Sequence, residues 1–144
     1  MEALIKFSIV PYEEPYQFRL RFEFINNSNC FSGEIYETRE GLLEAAEQFI
    51  NFKSPSEKRF KWLIGDETTT NTSAAFYSIE AITLLHRGGH ALCLSYHNGL
   101  NPPDLLKASL CIKTSPQEIV RFGHDLKHLG ELKAESFEWK SVVS

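Results

Sequence analysis

Tyr16-Gln17-Phe18-Arg19-Leu20-Arg21-Phe22-Glu23-Phe24 alternates polar and apolar residues without a break. A period of two belongs to a strand with one dry face and one wet face. Just beyond it, Asn26-Asn27-Ser28-Asn29 is a cluster of turn formers, and Phe31 to Glu37 returns as a further strand. A turn there sets Phe24 opposite Phe31, Phe22 opposite Gly33 and Leu20 opposite Ile35. On the wet face it sets Arg21 opposite Glu34. An aromatic ring over a strand glycine fills the gap that the missing side chain leaves.

Outward from this hairpin, Leu4 to Val10 is a preceding strand, closed by Pro11 and the turn at Glu13-Glu14-Pro15. Thr38 caps a first helix, with Glu40 suited to its positive end. Leu42, Leu43, Ala46, Phe49 and Ile50 form that helix's apolar stripe, and Ser54-Pro55-Ser56 ends it. Phe60 to Ile64 reads as a short strand that stops at Gly65-Asp66, and Glu67 to Ser73 reads as an exposed loop. Phe76 to His86 is a strand apolar on both faces, which turns at Gly88-Gly89 and returns as Ala91 to Tyr96. Asn98-Gly99 and Pro102-Pro103 lead into the alternating Ala108, Leu110 and Ile112. Ser115-Pro116-Gln117-Glu118 opens a second helix: serine caps, proline takes the first turn and glutamate follows three residues on. Gly130 fits its stop, and the tail adds an edge strand through Phe137 and Trp139.

The expected fold is α+β. It has a mostly antiparallel sheet of six to seven strands with two helices, in the order β-β-β-α-β-β-β-β-α, within a single domain spanning 1–144. Two helices cannot cover both faces of such a sheet, so one face curls around the core, stays wet or meets a partner.

A net charge of -4 with no Lys/Arg run argues against a nucleic-acid partner. No segment approaches the ~20 apolar residues that span a bilayer. The start places Lys6 in a short apolar run ending at Pro11, unlike a secretion signal, so a cytoplasmic protein is expected. In that setting Cys30, Cys93 and Cys111 read as reduced thiols, the last two buried within apolar strands.

No set of reacting groups emerges, and no catalytic, cofactor or metal residue is assigned. His124 and His128 have helical spacing, but Asp125 follows the first where a metalloprotease carries glutamate, and both fall on the outer face of their helix. His86, His90 and His97 cluster around the glycine turn. Cys93 sits mid-strand, away from the accessible cationic pockets that activate thiols. Gly88-Gly89 lacks the spacing of a phosphate loop, and Gly65-Asp66-Glu67 offers too few ligands for calcium. Arginine and tyrosine favour interaction surfaces. The residues singled out for binding are therefore Arg19, Arg21, Glu34 and Tyr36 on the hairpin's wet face, with Tyr96 and His97 near the Asn98-Gly99 turn.

Several of these segments together carry a resemblance. They are Gly33-Glu34-Ile35-Tyr36 with Thr38 and the helix through Phe49, Gly89-His90-Ala91-Leu92-Cys93-Leu94, and Leu110-Cys111-Ile112 running into Ser115-Pro116-Gln117-Glu118. This layout resembles small bacterial α+β proteins, some of them similar to the immunity proteins of wall-associated polymorphic toxins. The resemblance implies a cytoplasmic, non-enzymatic protein that binds a toxin domain, and an acidic chain suits a basic nuclease toxin. The alternatives from the residues are a small-ligand binder or homodimeric structural protein, and a hydrolase or metal protein using the scattered histidines.

Overall fold

The computed structural model describes residues 3–10, 17–52, 59–64, 76–83 and 89–141. It contains β1 (Ala3–Val10), β2 (Gln17–Asn26), β3 (Asn29–Thr38), α1 (Arg39–Ile50), β4 (Arg59–Ile64), β5 (Phe76–Thr83), β6 (His90–His97), β7 (Lys107–Thr114), α2 (Pro116–Gly130) and β8 (Ser136–Lys140). The predicted features at Glu13-Glu14-Pro15, Ser54-Pro55-Ser56, Gly65-Asp66, His86 and Gly88 lie outside the described residues.

The α+β class and the antiparallel pairing are as expected, but the strands divide into two sheets. One has the order β3-β2-β1-β8 and the other β4-β5-β6-β7, each four-stranded. The β2–β3 register pairs Phe24 with Phe31, Phe22 with Gly33, Leu20 with Ile35 and Arg21 with Glu34, as the alternation predicts. Asn27 takes the left-handed conformation at the turn, which asparagine tolerates. The tail strand β8 joins the free side of β1 and buries Trp139 completely.

Each sheet has one dry face, and the two dry faces meet. Phe22 touches Phe7 and Phe31 within its own sheet and Tyr77 and Tyr96 of the other, with the Tyr96 centroid 4.9 Å away edge-on. Gly33 makes this approach possible. A Cβ there would lie 2.6 Å from Tyr96 Cζ, so the glycine accepts the tyrosine ring of the facing sheet as well as its cross-strand partner Phe22. The Tyr96 hydroxyl donates to Glu34 O at 3.3 Å.

Two corners join the sheets. At one, Trp62 Nε1 donates to Glu37 Oε2 at 2.9 Å. At the other, Asn26 Nδ2 donates to Cys111 O at 2.6 Å and Ser141 Oγ donates to Lys113 O at 2.8 Å. The edge strand β7 therefore runs across the ends of β2 and β8, and side chains satisfy the carbonyls that an open edge leaves unpaired.

The helices close the core. Thr38 Oγ1 accepts from Gly41 N at 3.0 Å and Ser115 Oγ accepts from Glu118 N at 3.3 Å, so both predicted caps are formed. Gly123 lies against Ala46 and Ile50, and Gly130 against Leu43, so the helices run antiparallel in close contact. Gly130 is the last helical residue, where the sequence places the stop, although the left-handed residue beyond it is Leu132; a Cβ on Gly130 would lie 2.8 Å from Leu43 Cδ2. Lys127 and Glu47 pair across the helices at 3.4 Å. No helix among the described residues is long and apolar enough to cross a membrane.

Gly33→Ala should destabilise the fold by about 1–3 kcal/mol, because the new methyl displaces Tyr96. In a Tyr96→Leu background the same substitution should cost clearly less, as measured by urea unfolding. An equal cost in both backgrounds would remove Tyr96 as the reason for the glycine.

Candidate functional site

The outer faces of the two sheets differ in charge state. On the first, Arg19, Arg21, Glu34 and Tyr36 lie together on β2 and β3, as the alternation places them. Arg19 Nε bonds Glu34 Oε2, and Arg21 stands 3.7 Å from Glu34 Oε1. Lys6 lies between Glu23 and Glu138 at 3.8 and 3.9 Å, and Lys140 pairs with Glu138 at 3.5 Å. Tyr36 is 46% exposed beside this network. An open trough of about 750 Å³ crosses the face, lined by Lys6, Ser8, Arg21, Glu23, Ser32 and Glu138 among others. Its cations are already matched by carboxylates.

The second sheet presents a different surface. Along β6, Leu92, Leu94 and Tyr96 turn inward, so Cys93, Ser95 and His97 turn outward. Along β7, Lys107, Ser109, Cys111 and Lys113 are exposed. The register aligns these residues in rows. Phe76, His97 and Lys107 form one row across β5, β6 and β7, and Ser78, Ser95 and Ser109 form the next. Beyond them come Glu80, Cys93 and Cys111, then Ile82, Ala91 and Lys113. Ser95 and Ser109 are hydrogen-bonded at 3.1 Å. Neither Lys107 nor Lys113 meets a carboxylate among the described residues. At ~3.3 Å per residue the strand separates them by about 20 Å. His97 Nδ1 accepts from Gly99 N at 2.9 Å, which fixes the ring and assigns its proton to Nε2. The face thus has two cations without a carboxylate partner among the described residues, an oriented imidazole beside Phe76, and small side chains between.

Of the binding residues predicted from sequence, Tyr96 and His97 separate onto opposite faces of β6. Tyr96 is only 6% exposed and belongs to the core, so its assignment to a surface is corrected; the alternation of a strand makes adjacent residues diverge. Sequence reasoning missed Lys107 and Lys113, although their spacing along an alternating run placed both on one face. The cysteines are also corrected. Cys93 and Cys111 are disulfide-bonded with Cα atoms 4.0 Å apart, and Cys111 is exposed. Their apolar neighbours point inward, and alternation turns both thiols out.

No family model matches the sequence, and no curated protein matches it. Solved structures do share the fold. The plant transcriptional regulator PBF-2 superposes with a TM-score of 0.52 at 10% identity, over 90% of this chain and 75% of that one. WHY1 from Arabidopsis thaliana superposes with a TM-score of 0.50 at 11% identity, over 90% of this chain and 82% of that one. This finding overturns the toxin-immunity reading and its toxin-domain partner. It also overturns the exclusion of nucleic acid, which rested on net charge. A sum over the whole chain does not report the charge of one face.

The remaining histidines do not assemble a centre. His124 and His128 are exposed on α2. Partial burial raises Asp125 above the usual carboxylate value, while Arg121 and the two histidines pull it down. No group of three His, Cys, Asp or Glu residues among those described could hold a metal ion.

His90 points inward, edge-on to Phe52 with centroids 5.7 Å apart. Its two ring nitrogens and Thr114 Oγ1, on its cross-strand partner, are buried without a hydrogen-bond partner among the described residues. Burial pushes His90 below the ordinary imidazole value of 6.5, so the native state keeps it neutral. As pH falls through 6.5, the unfolded chain takes up a proton that the fold resists. Stability from this site should therefore be complete above that pH and decline below it. His90→Leu should flatten this part of a stability–pH profile, measured by denaturant unfolding. An unchanged slope would show that other groups control it.

Proposed function

We propose that this protein binds single-stranded nucleic acid across the outer face of β6 and β7. The observation that carries the reading is the pair Lys107 and Lys113, at the two ends of one exposed strand face and without a carboxylate partner among the described residues. The fold shared with a plant transcriptional regulator supports it.

The chemistry follows from the row Phe76, His97 and Lys107. Lys107 and Lys113 take phosphates, and the oriented His97 Nε2–H is a further donor. The rings of His97 and Phe76 offer a stacking surface, which any base can use because every base has a π-face. The serine and cysteine rows keep the ground between the lysines low, so a backbone can lie along it. A strand face carrying rings and separated cations suits an unpaired strand, whose bases are free to stack. α1, with Glu40, Glu44 and Glu47, is a poor fit to phosphate. A cytoplasmic location belongs to the same proposal.

Binding of a labelled single-stranded oligonucleotide, followed by fluorescence anisotropy over a salt series, tests it. Each of Lys107→Ala and Lys113→Ala should reduce the log–log salt slope by about 0.7, the share of one phosphate contact. His97→Ala should cost about 1–3 kcal/mol where a base stacks on the ring. Absence of binding at low salt, or lysine variants that bind like the parent, would refute the proposal.

A further inference from the structure

We infer that Cys93 and Cys111 form a site of reversible thiol–disulfide exchange that takes small thiols of the glutathione class. This does not depend on what the β6–β7 face binds.

Three observations carry it. The pair lies at directly opposed positions of an antiparallel ladder, with Cα atoms 4.0 Å apart, so the thiols of a reduced pair face one another without rearrangement of the backbone. The ladder continues on both sides, from His90 opposite Thr114 to His97 opposite Lys107. Backbone hydrogen bonds therefore hold the two strands in register whether or not the sulfurs are joined. The bond also lies on the outer face. Cys111 is exposed and Cys93 half-buried, whereas a bond placed to hold a core together is shielded from solvent thiols.

The exchange is balanced. A thiolate of the small thiol attacks Sγ of Cys111, the more accessible sulfur. The Cys93–Cys111 bond breaks, Cys93 leaves as the thiolate and is protonated, and a mixed disulfide remains on Cys111. A second small thiol then attacks the small-molecule sulfur of that mixed disulfide. Cys111 is released as a thiol, and the two small thiols leave as their disulfide. The protein gains two electrons and two protons, which the small thiols lose.

Cys30 is the remaining cysteine, free and exposed on β3. It stands one residue from Asn29, which pairs with the same Asn26 that reaches Cys111 O, so a third thiol is carried by the hairpin that touches the site. The test therefore uses a Cys30→Ser background, which removes shuffling.

The folded Cys30→Ser protein is equilibrated with glutathione mixtures from mostly reduced to mostly oxidised, quenched with an alkylating reagent and weighed by mass spectrometry. Two alkylated cysteines are expected at the reduced end and none at the oxidised end, with circular dichroism unchanged. The Tm of the oxidised protein should exceed that of the reduced one, and a Cys93→Ser, Cys111→Ser variant should show no redox-dependent Tm. Two free thiols throughout, or a bond that survives excess reduced glutathione in the folded protein, would each overturn the inference. So would a stable mixed disulfide at the oxidised end in place of the internal bond.

Discussion

Tyr96 resting on Gly33 is the contact on which the arrangement of this protein depends. Two sheets with one apolar face each must bury those faces against something, and here they bury them against one another. β7 crosses the ends of β2 and β8, and one ring passes close to a strand of the facing sheet. A side chain at position 33 would displace the Tyr96 ring there. With it absent, Tyr96 reaches Phe22 and the hydroxyl finds a carbonyl, so a polar tip is satisfied inside an aromatic core.

The rest of the core extends from that point through rings. Phe7 links Phe22 to Trp62 and Phe122, and Phe122 links Phe49 to Trp139. Rings in contact leave few alternatives in packing, which suits a chain with eleven Phe and one Met. The helices seal this core by the same device as the sheets. Gly123 and Gly130 remove side chains where α1 must come close. Polar links at the corners, Trp62 to Glu37 and Asn26 to Cys111, then fix the angle that the apolar contacts permit.

The two outer faces show how local arrangement outweighs composition. The first sheet concentrates arginine and lysine but supplies Glu23, Glu34 and Glu138 among them, and its charges are spent on each other. Exposed pairs of that kind contribute about 0–1 kcal/mol each and leave little field for a ligand. On the second sheet, Lys107 and Lys113 stand apart and lack such partners among the described residues. An acidic chain can thus carry a face suited to an anion.

By itself the sequence determined what is local. The alternation from Gln17 to Asn26 specified the β2–β3 register residue by residue, since a slip of one would turn Phe22 and Phe24 into water. Thr38 and Ser115 marked both helix starts because caps act over two or three residues. Parity along β6 and β7 already separated Tyr96 from His97 and put Lys107, Cys111 and Lys113 on one side, although the apolar run around Cys93 masked it. Only the tertiary structure decided that the strands form two sheets, that Tyr96 covers Gly33 and that Cys93 opposes Cys111. Those outcomes depend on which apolar faces find each other across long stretches of chain, and a one-dimensional pattern records that a face is dry without recording what lies against it.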